Sequence, residues 1–206
     1  MKPLLHPTYF PNIAHFTVMV KGGFVFEKED NYQKQTYRNR TYIYSANGPQ
    51  LLSVPVKHSN NAEGHQKYRE VVIEDNFDWK KQHWKSIQTA YRTSPFFEFY
   101  EDEIAPFFEK KHTRLYDMNL ESALLLAEIM QTDLDYSFTG SYEKSPQETT
   151  DHRNLANAKS KSTFDFQPYT QVFEEKQGFI PNLCILDLLF NEGPNALNYL
   201  ESQSVQ

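Results

Sequence analysis

The first forty residues restrict the fold more than any other stretch. Pro3–Leu5 is a short apolar run and His6–Asn12 a polar, proline-punctuated turn. Ile13–Lys21 has the apolar spacing of an amphipathic helix, and Phe24–Phe26 reads as a second strand. Strand, turn, helix and strand form a βαβ unit, whose two strands pair in parallel and end at the same edge of a sheet. His6 follows the first strand and the Glu27–Asp30 group follows the second. Both are therefore expected at the carboxyl-end crevice where open α/β sheets bind ligands.

The remaining chain adds a hairpin and then helices. Thr41–Tyr44 and Leu51–Val56 are rich in β-formers and flank the turn residues Asn47-Gly48-Pro49. His58–Gln66 reads as a polar loop and Glu70–Ile73 as a short strand. Asp78 is placed to cap a helix over Trp79–Thr93, which Ser94-Pro95 stops. Ile104–Phe108 reads as helix after Asp102 and Glu103, and Asn119 as the cap of an apolar helix over Leu120–Met130. Ser, Thr, Asn, Lys and Gly dominate residues 137–163, read here as a mobile lid or a linker. Asn182–Phe190 is the last strong helix, with Gly193 and Pro194 as its stop signal, and Asn195–Leu200 follows as a short one. The expectation is one α/β domain over 1–206. Its mainly parallel sheet is flanked by helices in a Rossmann-like arrangement, with a β-hairpin and a helical C-terminal half.

Charge and cysteine usage exclude several classes. A formal net charge of −6 is unsuited to coating nucleic-acid phosphates, so any anion site must be a local pocket. The single cysteine, Cys184, rules out an internal disulfide and multi-cysteine metal motifs, and its apolar surroundings imply a buried thiol without a catalytic role. No apolar run approaches the roughly 20 residues that span a bilayer, so a cytoplasmic protein without membrane insertion is expected. A P-loop, a glycine-rich dinucleotide fingerprint and a Ser-His-Asp signature are all missing from the sequence.

Blocks along the whole chain resemble the WbqC-like family: His6-Pro7-Thr8-Tyr9-Phe10-Pro11, Asn31 through Arg40, and Gly48-Pro49-Gln50 leading to Ser53-Val54-Pro55-Val56. Gln171-Val172-Phe173 and Gly178-Phe179-Ile180-Pro181-Asn182-Leu183, running on to Pro194, continue the resemblance. Members of that family occur among genes for bacterial surface polysaccharides, which implies a role in glycan or related precursor assembly. A second resemblance is to nucleotidylyltransferases of the HIGH type. Pro11 and His15 keep the four-residue spacing of their motif, although Ile13 and Ala14 replace its first histidine and its glycine. That likeness implies that His15 contacts nucleotide phosphates, and that Lys159-Ser160-Lys161-Ser162 stands for the family's mobile Lys/Ser signature.

The candidate catalytic groups are His6, His15 and Lys34. The candidate substrate contacts are Tyr9, Tyr37, Arg38, Asn39, Arg40, Arg153 and Lys159. Two guanidinium groups at alternate positions, Arg38 and Arg40, suit a phosphate or carboxylate, because each can bind two oxygens at once. The structural alternative is that they answer Glu27, Glu29 and Asp30, and both readings stay open here. His6 and His15 are equally open to a structural role, since a lone histidine is more often a hydrogen-bonded packing residue. No recognised metal-ligand spacing is present, so no dedicated metal site is assigned. Magnesium carried in with a nucleotide needs only one or two carboxylates and is compatible with the sequence.

The expected partner is a phosphorylated or nucleotide-activated small molecule. The expected activity is group transfer by positioning and charge stabilisation. The alternative is a non-catalytic protein that binds a glycan precursor or another assembly protein.

Overall fold

The computed structural model describes residues 1–57, 66–159 and 164–205. Among the described residues there are six strands: β1 Lys2–Leu5, β2 Phe24–Phe26, β3 Arg40–Ser45, β4 Gly48–Ser53, β5 Tyr136–Phe138 and β6 Thr149–Asp151. The helices are α1 Ile13–Val20, α2 Trp79–Tyr91, α3 Phe97–Glu109, α4 Leu115–Ile129, α5 Glu174–Gln177, α6 Ile185–Glu192 and α7 Ala196–Ser202. Four strands form one wholly parallel sheet in the order β5-β2-β1-β6. β3 and β4 form a separate antiparallel hairpin, with Arg40 opposite Ser53. The molecule is thus α/β, with a helix-flanked parallel sheet, a hairpin and a helical C-terminal half.

The βαβ unit forms as the sequence implies, with Leu4 beside Val25 and Leu5 beside Phe26. Leu5, Phe24 and Phe26 are completely buried, as are Ile13 and Phe16 of α1. Burial of side chains this size contributes about 1.5–3 kcal/mol each, so the unit is an apolar anchor. α1 packs on α6 and α7, and α2 packs on α3 and on the hairpin strand β3.

Several boundaries differ from the sequence reading. Residues 137–159 are built into the fold, because β5 and β6 are the two edge strands of the sheet. An edge strand has one unpaired side and mostly exposed side chains here, so polar Ser and Thr serve as well as apolar residues. Residues 160–163, including Ser160, Lys161 and Ser162, lie outside the described residues, as do 58–65 of the expected polar loop. Glu70–Ile73 is not a strand: a 3-10 turn over Tyr68–Glu70 leads into single bridges from Val72 to Arg114 and from Ile73 to Val56.

α3 continues through the aromatic run and across Pro106, and α4 begins four residues before Asn119. Asn119 therefore sits inside a helix with its amide turned into the core. α6 starts at Ile185 rather than Asn182, whose positive φ of 56° ends the preceding extended chain. Gly193 closes α6 with a φ of 54°, the left-handed geometry that glycine adopts without steric cost.

The starts of α1 and α6 are tied together. Ile13 N–H donates to the Leu183 carbonyl (3.1 Å) and Ile185 N–H to that of Pro11 (2.9 Å). Cys184 lies between them, fully buried, with its Sγ 3.5 Å from the Phe10 carbonyl, and burial pushes its thiol up to about 12. The native protein should therefore react slowly with a thiol reagent such as DTNB, at a rate that follows global unfolding in denaturant. Stoichiometric labelling within seconds in buffer would contradict that burial.

Candidate functional site

Parallel pairing places the residue after each sheet strand at one edge. These residues are His6 after β1, Glu27 after β2, Thr139 after β5, and His152 with Arg153 after β6. Glu27 ties three of these ends together. Its carboxylate is 1% exposed; Oε1 accepts from Glu29 N–H (2.7 Å) and from Thr139 Oγ1 (2.8 Å), and Oε2 stands 3.5 Å from Arg153 Nη1.

The loop from β2 to β3 carries a second buried cluster against β1. Arg38 is 2% exposed, and its Nη2 straddles the His6 ring at 2.8 Å from Nε2 and 3.2 Å from Nδ1. Asp30 Oδ2 completes the set, 2.9 Å from His6 Nε2 and 3.3 Å from Arg38 Nη2. The Nε2–H tautomer gives Asp30 a donor and leaves the Nδ1 lone pair toward Arg38. A protonated His6 would press one cation on another inside the protein. Burial and then Arg38 hold its pKa at about 4. The guanidinium also lies over the Tyr68 ring, 5.6 Å from its centroid.

Asn119 locks this arrangement from α4. Its amide donates to the Arg38 carbonyl (2.6 Å) and to the Tyr68 hydroxyl (2.5 Å), which itself donates to the Pro7 carbonyl (2.7 Å). One side chain thus joins the basic loop, the turn after β1 and the aromatic layer. Sequence pattern could not find it, because an asparagine before an apolar run reads as a helix cap.

His15 points into the same region from the first turn of α1, near His6, Arg38 and His152. Its ring is fully buried, and neither nitrogen has a hydrogen-bond partner among the described residues. Burial lowers its pKa to about 3.

The backbone amides at the start of α1 are not available to an anion. Its leading amides are already taken: Ile13 by Leu183, Ala14 by Asn182 Oδ1 (2.8 Å), His15 by Asn12 Oδ1 (3.0 Å) and Phe16 by the Asn12 carbonyl. Free amides are what make a helix start attractive to anions. The phosphate contact implied by the HIGH-type resemblance runs instead through the His15 ring, whose nitrogens are unpartnered.

The other candidates separate. Arg153 is a clamp: Nε and Nη2 grip Asp151 (2.8 and 2.7 Å), and Nη1 and Nη2 donate to the carbonyls of Glu143 and Lys144. Tyr9 is fully buried away from the cluster, its hydroxyl 2.9 Å from His83 Nδ1 and its ring against Phe10 and Trp79. Asn39 shapes the entry to the hairpin, its amide donating to Val54 and its carbonyl accepting from the same residue. Tyr37 is half-buried between Asn12, Arg40 and Tyr42. Lys34 and Lys159 are exposed.

Arg38 and Arg40 do not share a strand face, because β3 begins only at Arg40. Among the described residues no three His, Cys, Asp or Glu side chains gather as metal ligands. Asp30 is engaged by His6 and Arg38, and Glu27 by Thr139 and Arg153.

The depressed histidines fix the sign of a pH dependence. Their folded pKa values, about 4 for His6, about 3 for His15 and about 4 for His83, lie below the ordinary 6.5. Their stabilising contribution is full above pH 6.5 and is lost as pH falls toward those values, because the unfolded chain takes up protons first. Asp187, raised by burial to about 6, acts in the opposite direction with one proton. Near pH 5, unfolding should take up protons net, since His6, His15 and His83, with His112 also lowered by burial, outnumber Asp187. Denaturant titrations between pH 7 and 4 should give that slope, and His15→Asn should reduce it by about one proton. A stability indifferent to pH across this window would contradict the buried neutral rings.

Comparison with known proteins agrees with the residue blocks. A family model described as the WbqC-like protein family matches residues 6–163. The chain is 29% identical over 224 aligned positions to a Mycobacterium tuberculosis protein described as "Uncharacterized protein Rv1507c", covering 96% of each chain. No solved structure matches. With the family model spanning most of its length, the chain belongs to the WbqC-like protein family.

Proposed function

We propose that the protein is an enzyme of bacterial surface-glycan or related precursor biosynthesis, binding a phosphorylated or nucleotide-activated small molecule at the carboxyl edge of its parallel sheet. The observation behind this reading is the convergence of four strand ends on buried charge: Glu27, Asp30, Arg38 and Arg153, with His6 and His15 among them. Buried ions are costly to maintain, and such groups cluster where a fold carries chemistry. A neutral His6, hydrogen-bonded to Asp30 and packed on Arg38, would hold that charged pair in place during group transfer. No helix among the described residues is long and apolar enough to cross a membrane, which suits a water-soluble, activated precursor.

One observation favours a second reading. His6, His15 and Arg38 are each nearly inaccessible and held by internal contacts, which suits a rigid support for a non-catalytic precursor-binding or assembly protein. A thermal-shift screen of nucleotides, nucleotide-sugars and sugar phosphates on the full chain tests the first reading. Phosphorylated compounds should raise the melting temperature more than the corresponding free sugars. The best hit, incubated with the protein and followed by chromatography, should turn over when an acceptor is supplied. Stabilisation only by unphosphorylated sugars would remove the phosphate reading, and tight binding without turnover across an acceptor panel would favour the second.

A further inference from the structure

The two faces of the parallel sheet are covered differently. Leu5 and Phe26 belong to the main apolar core, whereas Leu4 and Val25, paired with each other in register, do not. Successive residues of a strand point to opposite faces, so Leu4 and Val25 lie on the face turned away from the core. The chain between β5 and β6 crosses that face. These strands are the two edges of the sheet and run parallel, so the connection returns from the carboxyl end of one to the amino end of the other. Such connections are usually helical. Here residues 139–148 make it without helix or strand.

This strap is pinned at its start and middle. Thr139 Oγ1 accepts from Lys28 N–H (2.9 Å) and donates to the buried Glu27 carboxylate (2.8 Å). Arg153 donates to the carbonyls of Glu143 (2.9 Å) and Lys144 (3.2 Å). A cavity of about 230 Å³ remains between strap and sheet, with Leu4 and Val25 in its lining. Exposed Ser137, Ser141, Glu143 and Glu148 line it as well. The carboxylates of Glu143 and Glu148 have no ion pair or hydrogen bond among the described residues. With Glu27 the lining holds three carboxylates and no lysine or arginine.

Apolar side chains beside hydroxyls and free carboxylates match a sugar ring, whose C–H face needs apolar contact and whose hydroxyls need acceptors. The volume lies below the roughly 300–1,000 Å³ of pockets that enclose drug-sized ligands, so the cavity takes one ring and not a whole nucleotide. Its unanswered negative charge repels a phosphate or a carboxylate.

We propose that this cavity is the subsite for the sugar ring of the ligand. Glu143 and Glu148 accept its hydroxyls or an amino substituent, and Glu27 and Arg153 are positioning residues that hold the strap. The assignment rests on the activated-precursor reading and adds where the sugar of that precursor sits and which sugars it refuses.

The test uses the full chain and saturation-transfer NMR. The probes are glucose, galactose and mannose at millimolar concentration, each beside its 2-amino and uronic-acid counterparts. The best hexose and its 2-amino form should bind, and its uronic acid should be weaker by about ten- to a hundredfold. Glu143→Gln combined with Glu148→Gln should remove that discrimination, and Ser141→Trp should block the cavity and abolish hexose binding. The paired glutamine variant changes only exposed positions and keeps the test decisive if Ser141→Trp does not fold. A uronic acid that binds as tightly as its hexose would overturn the subsite, as would hexose binding unchanged in a folded Ser141→Trp protein. A nucleotide that binds while no hexose does would overturn the subsite and leave the phosphate reading standing. Hexose binding lost in Ser141→Trp, with no phosphorylated compound bound to wild type, would support the subsite and remove the phosphate reading.

Discussion

A guanidinium removed from water costs several kcal/mol unless it is given charge and hydrogen bonds, and the surroundings of Arg38 supply both. Asp30 provides the charge, His6 a neutral face, Thr36 a further acceptor and Tyr68 a π surface. Asn119 fixes the backbone that carries it. These groups come from β1, the loop after β2, the 3-10 turn and α4, so the cation is the point at which the sheet and the helical half are joined. Losing one partner would leave the others buried with an unanswered charge, which is why such a cluster holds a single geometry.

The same requirement separates structural from available charge. Arg153 is saturated by Asp151, Glu27 and two carbonyls, and Arg38 is engaged through both terminal nitrogens by Thr36, His6 and Asp30. Arg40 is what remains: a cation placed at the rim of this cluster and answered by no acid among the described residues. The helix start that might have competed for an anion has its amides closed by Asn12, Asn182 and Leu183.

The strands and helix of the first unit were legible because apolar periodicity directly records which face is buried, and all three elements fall within one residue of their expected bounds. The hairpin was legible through its turn residues. β5 and β6 were not, since edge strands of three residues leave too little apolar pattern to read. The site followed the same division. His6, Arg38 and His15 do come together, because parallel topology sets where the ends of strands meet. Asn119 and Tyr68 were invisible: their roles depend on contacts across 51 to 81 positions of chain, and residue type alone carries no record of a distant partner.

The neutral His6 between Arg38 and Asp30 is the claim on which the rest depends. Long-range nitrogen–proton NMR of the imidazole rings, followed from pH 8 to 3, reads both its tautomer and its ionisation. His6 should remain the Nε2–H tautomer, with a slowly exchanging ring proton, until the pH nears 4. Ionisation of His6 near the ordinary 6.5, or a proton resident on Nδ1, would contradict the arrangement.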